Sequence, residues 1–321
     1  MAQTTVVIPN YNGIKYIAAC LDSLYAGTVS DMEVIVVDNA SADGSLELIK
    51  EQYPQVTLIE NAENTGFSYA VNQGIQASKT PYVFLLNNDT EIEADCIEKL
   101  EAFMQTDDRI FSASAKMIAL HDKEKVDDAG DYYCALGWAF ARGKGKQPSL
   151  YKENKDVFAA CAGAAIYRRE YFDKVGLFDV QHFAYLEDID VGYRARIHGF
   201  RNCFAADAVV YHAGSATSGS RYNAFKTSLA SRNSIYLIYK NMPLLQIILN
   251  LPFFLVGFGT KLAFFILKGL GKEYSKGLLQ GIRLCTGETG KANKVKFCAN
   301  RLQNYAKIQV ELWSNLFKLL F

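Results

Sequence analysis

The first hundred residues alternate between two periodicities, and that alternation restricts the fold more than any other feature of the chain. Short β-branched runs, TTVVIP, EVIVVD, VTLIE and YVFLLN, read as strands. Amphipathic stretches at residues 14–26, 43–52, 67–78 and 93–105 read as the helices that follow them. A βαβαβαβα order implies an α/β fold with a parallel sheet, right-handed crossovers and helices on both faces. In open sheets of this kind ligands sit beyond the carboxyl ends of the strands. Those ends carry polar residues here: Asn10 and Asn12, Asp38 and Asn39, Asn64, and the run from Asn87 to Asp89. Four such clusters would meet at one edge of the sheet, where a nucleotide site is the default reading.

The glycine signature of dinucleotide folds is absent after the first strand, which continues as PNYNG, and no Walker-type G-K-S/T occurs. Hydride transfer and P-loop chemistry thereby lose their main support. Beyond about residue 110 the periodicity weakens, and residues 119–156, rich in Lys, Asp and Gly, read as loops and short strands that cover a site. VFAACAGAAIYRR reads as a returning strand, LEDIDVGYRARIHGF as a helix, and RNCFAADAVVYH as a further strand ending on a histidine.

With 50% apolar residues in 321, the chain can bury a sizeable core. Lys+Arg and Asp+Glu both number 34, so no overall charge bias points to nucleic acid. The two ends differ, however. From Leu244 onward there are eleven basic and three acidic residues, which leaves the preceding part acidic by eight. The seven cysteines are scattered without a C-x-x-C pair and read as reduced core thiols. MAQTTVVIPNYNG lacks a basic region followed by an apolar stretch, so the chain is expected to start in the cytosol.

In order and spacing, VVIPNYNG, VIVVDNASADGS, ENTGFSYAVNQGI, FLLNNDTEI, the AGAA loop, GLFD, and YLEDIDVGYRARIHGF followed by VVYHAGSAT resemble the blocks of family 2 glycosyltransferases. The likeness is strongest to the rhamnosyltransferase-like branch and covers roughly residues 4 to 240. It implies a GT-A fold and inverting transfer of a sugar from a pyrimidine nucleotide diphosphate. dTDP-rhamnose is the favoured donor, with UDP-hexoses close behind. A divalent cation, Mg²⁺ or Mn²⁺, would offset charge on the leaving diphosphate. The family's D-x-D triplet is Asn87, Asn88, Asp89 here, so only Asp89 remains as a carboxylate ligand, and weaker metal affinity is expected. His212 matches the family's additional ligand. Asp188 matches the catalytic base, with Glu187 orienting the acceptor or the base, at a helix start that favours carboxylates. Asp190 is spaced to pair with Arg194. By the same resemblance Asp38 reads the base ring, Pro9, Tyr11 and Asn39 line the base and ribose, and Asn64 and Gly66 pass close to the nucleoside. Asn87 and Asn88 serve the ribose or act as turn residues. Ala162 and Gly163 bring backbone amides near the transferred sugar. Trp138 either stacks on an acceptor sugar or packs in the core.

From Leu244 to Leu270 the run LLQIILNLPFFLVGFGTKLAFFILKGL is apolar, but Gln246, Asn250, Pro252 and Lys261 interrupt it. An interfacial helix pair or shallow re-entrant hairpin therefore fits better than a spanning helix, with the following lysines facing anionic headgroups; burial against protein is the other reading. Residues 1–240 are expected to form the catalytic domain, and 241–321 a helical, basic, membrane-interfacial region. The resulting picture is a peripheral enzyme on the cytoplasmic side of the inner or plasma membrane. It would extend a polyprenyl diphosphate-linked glycan for cell-surface polysaccharide. A nucleotidyltransferase or a non-catalytic sugar-nucleotide-binding protein of the same fold are the other readings.

Overall fold

The structure, a computed structural model, describes residues 2–214 and 222–319. The end of the VVYHAGSAT block, residues 215–217, lies outside the described residues. The first half follows the alternation read from sequence: β1 (Thr4–Asn10), α1 (Ile17–Tyr25), β2 (Glu33–Asp38), α2 (Ser45–Gln52), β3 (Thr57–Glu60), α3 (Phe67–Ala77), β4 (Tyr82–Leu86), β5 (Thr90–Ile92) and α4 (Cys96–Met104). Strands β1 to β4 pair in parallel, in the order β4-β1-β2-β3.

Residue alternation divides this sheet between two cores. Val6, Ile8, Phe84 and Leu86 face α1 and α4. Val7, Val83 and Leu85 face the other way, against Val71 and Ile75 of α3. Gly74 permits that contact, since a Cβ there would lie 2.2 Å from Val7.

The second half extends the sheet through β6 (Ile110–Ala119), β7 (Val126–Asp128), β10 (Lys155–Val157) and β11 (Ala164–Arg168), while β8 (Asp131–Cys134) and β9 (Trp138–Ala141) form a separate two-stranded hairpin. After α5 (Phe172–Val175) and α6 (Glu187–Ile197), β12 (Arg201–His212) completes the sheet. β12 runs parallel to β6, but β11 lies antiparallel between β4 and β6, so this half is mixed. VFAACAGAAIYRR is thus two strands rather than one. Residues 158–163 leave the ladder between β10 and β11, and the Gly163 carbonyl accepts from the Asn87 amide at 2.9 Å.

Five α-helices follow among the described residues: α7 (Ala224–Asn241), α8 (Leu244–Leu267), α9 (Gly271–Thr286), α10 (Glu288–Ala292) and α11 (Leu302–Phe317). Pro252 does not break α8. The polar residues that interrupt its apolar run all face protein. Gln246 accepts from Tyr193 at 2.7 Å and donates to the Tyr305 carbonyl at 2.9 Å. Asn250 exchanges hydrogen bonds with Gln309 at 2.9 Å. The opposite face leaves Leu244, Leu255 and Leu267 at 70%, 70% and 87% exposure. One core joins Tyr133, Phe158 and Tyr193 to Leu237, Phe254, Tyr305 and Leu312, and so draws on both sides of residue 240.

Candidate active site

The carboxyl ends of β1, β2 and β4 are held together by side-chain amides. Asn10 donates to Asp38 at 2.7 Å and to Ser45 at 3.0 Å, and its oxygen accepts from Asn88 at 2.7 Å. Gly13 closes over this bond, where a Cβ would sit 2.2 Å from both Asn10 Oδ1 and Asn88 Nδ2. Asp38 also accepts from the Ser41 amide at 2.9 Å and hydroxyl at 2.7 Å. With three of about four lone-pair directions used, Asp38 mainly orders the turn after β2. Asn39 accepts from Asn61 at 2.8 Å and Thr65 at 2.9 Å and donates to the Gly66 carbonyl at 3.3 Å. Asn64, exposed, accepts from the Gly66 amide at 3.0 Å. Gly66 has φ +84°, and a Cβ would lie 2.5 Å from the Phe183 ring, so both conformation and close approach require glycine. Pro9 and Tyr11 flank this rim and are half-buried.

One edge of the site centres on His212. Its Nε2 lies 3.3 Å from Asp89 Oδ1, and its Nδ1 is 2.8 Å from Asp127. Burial opposes charge on the imidazole, but Asp127 and Asp89 outweigh it and raise it to about 9. Asp127 is in turn 2.6 Å from Lys144. A carboxylate on Nδ1 fixes ring orientation and directs Nε2 at a second ligand, an arrangement common at metal sites. Asp89 and His212 therefore fit a divalent cation, with one carboxylate oxygen and one imidazole nitrogen as donors.

The other edge is a set of buried acids. Asp128 follows Asp127 on β7 and points the opposite way; burial pushes it up to about 7, although its carboxylate accepts from the Gly130 amide at 2.6 Å. Asp131 on β8 contacts Asp188 at the start of α6, and burial with the Asp128 and Asp188 charges pushes it well above the carboxylate range. Burial raises Asp188 too, against the amides of Ile189, at 2.7 Å, and Ala162. Among the described residues the buried Glu187 has no partner for Oε2, and burial, then Asp188, pushes it up to about 8. Asp128, Asp131 and Cys161 bring ligand atoms within 4.8 Å of one another, a second place able to hold a cation.

The segment before α6 is strained: Phe183, Tyr185 and Leu186 have φ of 62°, 70° and 68°. Asn233 of α7 holds it, donating to the carbonyls of His182, Ala184 and Tyr185 at 2.8–2.9 Å.

The structure thus gathers Asp89, His212, Asp188, Glu187 and Asn87 at the sheet edge expected from sequence. Ala162 and Gly163 are there too, but Ala162 donates to Asp188 and Gly163 accepts from Asn87. Trp138 stands apart: its indole donates to the Gly257 carbonyl at 3.1 Å, and Lys261 lies over the ring at 5.3 Å, so it packs against α8. Asp127, Asp128 and Asp131 escape the sequence reading. Their signal is three carboxylates within five positions, VDDAGD, interleaved with buried Val126 and Ala129.

The chain resembles known proteins in the same region. The model of glycosyl transferase family 2 matches residues 5–176. A glycosyltransferase of Streptococcus pneumoniae, GlyA, is 37% identical over 98 residues, which is 30% of this chain and 14% of that protein. Escherichia coli YibD, an uncharacterized glycosyltransferase, is 35% identical over 107 residues, 32% of this chain and 31% of the relative. These two matches thus span less than a third of either relative. An N-acetylglucosaminyl-diphospho-decaprenol L-rhamnosyltransferase of Mycobacterium tuberculosis is 24% identical over 232 residues, 64% of this chain and 75% of the relative. Among solved structures, residues 1–349 of Staphylococcus aureus TarS with UDP-GlcNAc superpose with a TM-score of 0.61 at 19% identity, covering 97% of this chain and 89% of that one. GalNAc-T7 with UDP, GalNAc and Mn²⁺ gives a TM-score of 0.61 at 16% identity over 75% of this chain and 48% of that one. The fold is GT-A, and the chain belongs to glycosyl transferase family 2.

Proposed function

We propose that the protein is an inverting glycosyltransferase that moves a sugar, rhamnose in the favoured case, from a dTDP- or UDP-linked donor to a polyprenyl diphosphate-linked glycan. The observation that carries this reading is the half-buried Asp188 at the α6 start, fixed by amides and by Asp131, in the same site as the Asp89–His212 pair. Such a carboxylate can take the acceptor hydroxyl proton while that oxygen bonds to the anomeric carbon. The bond from that carbon to the diphosphate oxygen breaks, the proton stays on Asp188, and the nucleoside diphosphate leaves. Glu187, kept neutral by burial, can donate a hydrogen bond to the acceptor. A divalent cation held by Asp89 and His212 would offset the charge on the diphosphate. Asn10, Asn39, Asn64 and Gly66 shape the nucleoside rim, with Pro9, Tyr11 and Asp38 beside them. The Mycobacterium tuberculosis relative's name, with its rhamnose and decaprenyl diphosphate, supports the choice of donor and acceptor, as the UDP-sugar bound to TarS supports a pyrimidine nucleotide.

The inside-out α8 supports residues 241–321 as an interfacial region on the cytoplasmic membrane face. Its polar residues are buried and its leucines exposed, the reverse of a helix at a water surface. A donor screen tests the enzyme reading: dTDP-rhamnose, UDP-sugars and GDP-mannose, each with and without Mg²⁺ or Mn²⁺, beside Asp188→Asn and Asp89→Ala. Turnover of one pyrimidine donor, lost in Asp188→Asn and made metal-independent or lost in Asp89→Ala, is expected, with an inverted anomer by NMR. Binding of no nucleotide sugar, or a retained anomer, refutes it.

A further inference from the structure

A groove of about 440 Å³ lies on the face of the β8–β9 hairpin away from Asp131. Side chains alternate along β8, so Tyr132 enters the groove while Asp131 and Tyr133 turn toward α6. Among the described residues its lining includes five cations, Arg142, Lys144, Lys146, Lys155 and Lys318, and no acid. Three of them make defined side-chain contacts. Arg142 lies over Tyr151 at 4.7 Å and Phe204 at 5.1 Å, Lys318 over Tyr132 at 4.0 Å, and Lys144 reaches from the rim to Asp127. Partial burial lowers the Lys318 ammonium; Glu311 opposes this, and the charges of Lys155, Arg196 and Arg142 lower it further. Positive charge therefore accumulates along the lining, offset by Asp127 at Lys144 and by Glu311 near Lys318.

The groove also has an apolar exit. Phe317 and Leu319 form one wall, and Phe317 is 69% exposed. Val310, Trp313 and Phe317 make an exposed stripe at helical spacing along α11, and Trp313 donates to Asn250 of α8 at 3.1 Å. The stripe thus runs from the cations to the helix whose leucines face outward.

We propose that this groove binds the diphosphate of the lipid-linked acceptor, with its cations on the phosphates and the isoprenoid chain leaving along Phe317 and α11. The charge complementarity selects an anion, and the adjoining apolar stripe selects one that carries a hydrocarbon chain. Lys144 couples the groove to the Asp127–His212 edge, so the glycan would cross the hairpin to reach Asp188. The inference rests on the glycosyl-transfer reading for its acceptor class, but its test needs neither donor nor metal.

Binding of farnesyl diphosphate to the full chain is measured in EDTA by calorimetry, beside farnesol, inorganic pyrophosphate and phosphatidylglycerol vesicles. Farnesyl diphosphate is expected to bind more tightly than pyrophosphate, and farnesol not at all. Exposed Lys155 and Lys318 can be reversed together, as Lys155→Glu/Lys318→Glu, to weaken binding by about tenfold or more. Lys146→Glu gives a second reading should the pair disturb folding, and Lys307→Glu, outside the groove, should bind like the wild type. Phe317→Ser should weaken farnesyl diphosphate and leave pyrophosphate unchanged. Equal affinity in wild type and charge-reversed chains, equal binding of farnesol, or capture by vesicles alone overturns the proposal. Donor turnover in the same preparation separates that failure from failure of the glycosyltransferase reading.

Discussion

Replacing Asp131 tests whether the proposed base depends on a neighbour that sequence reading did not single out. Burial drives Asp188 away from the ionised form that a base requires, while the Ile189 amide, Asp131 and the Ala162 amide draw it back. Burial and the neighbouring charges push Asp131 well above the carboxylate range, which makes it the donor of the hydrogen bond to Asp188. Asp131→Ala removes one of these three donors. A hydrogen bond to a charged group contributes about 1.5–3 kcal/mol, which corresponds to roughly 10–100-fold in rate. The sign is fixed by the chemistry: with one donor fewer, Asp188 binds its proton more tightly, so the acid limb of kcat/KM moves to higher pH. Asp131→Asn retains a donor of the same size and should keep most activity, with the limb near its wild-type place. Steady-state rates from pH 5 to 9, with donor affinity measured separately, distinguish loss of the base from loss of binding. Wild-type rate and limb in Asp131→Ala refute the reasoning. Equal damage in the Ala and Asn variants does so as well, because it would make the proton-sharing contact irrelevant.

Glu187, raised to about 8, should lose its proton near that pH and place a second negative charge beside Asp188. Activity is therefore expected to fall on the alkaline side, and Glu187→Gln should remove that limb in a pH–rate profile. Gly13→Ala must displace the Asn10–Asn88 bond; by the cost of one buried hydrogen bond, donor affinity should drop about tenfold in an equilibrium titration. Asp190 accepts from Arg194 at 2.8 Å, Lys240 at 2.9 Å and Asn241 at 2.8 Å, so Asp190→Asn leaves two buried cations short of charge and should cost about 3–5 kcal/mol in urea unfolding. Burial raises Asp190 and Asp179, but Arg194 and Lys240 hold the first, and Lys240 the second, below the ordinary value. Their stabilisation is complete above the unfolded value of about 4 and is lost as pH falls through the folded values, which acid unfolding should register. Leu245→Glu/Leu255→Glu should reduce sedimentation with anionic vesicles without changing donor turnover in detergent.

The parallel half of the sheet was legible because β1, β2 and β4 are buried on both faces and its helices carry one apolar stripe, so each element states its own periodicity. Their polar ends were legible for the same reason: an Asn or Asp after a run such as YVFLL has no core role. The acids of β7 and β8 were not, because strands of three and four residues are too short to show a period, and Asp127 and Asp128 acquire different partners only when β7 pairs with β6. Asn233 was out of reach altogether. It sits in a helix remote in sequence from the loop it holds, and nothing local marks an amide that will collect three carbonyls. Trp138 shows the opposite failure, a residue type suited to sugars whose tertiary neighbours are Gly257 and Lys261.

The reading of α8 turns on which of its faces is polar. From sequence, Gln246 and Asn250 count against a membrane, since they interrupt an apolar run. In the fold they are the inward face, matched by Tyr193, Tyr305 and Gln309, and what remains outside is mainly leucine, isoleucine, valine and phenylalanine. The same polar contacts that weaken a spanning helix would fix an interfacial one, because they anchor α8 to α6 and α11. Through α7 the anchoring continues to Asn233 and the strained turn before Asp188. The residues after 240 thus lie on an unbroken path of packed side chains from the exposed leucines to the proposed base. A lipid surface that orients α8 would orient the acceptor edge of the site with it.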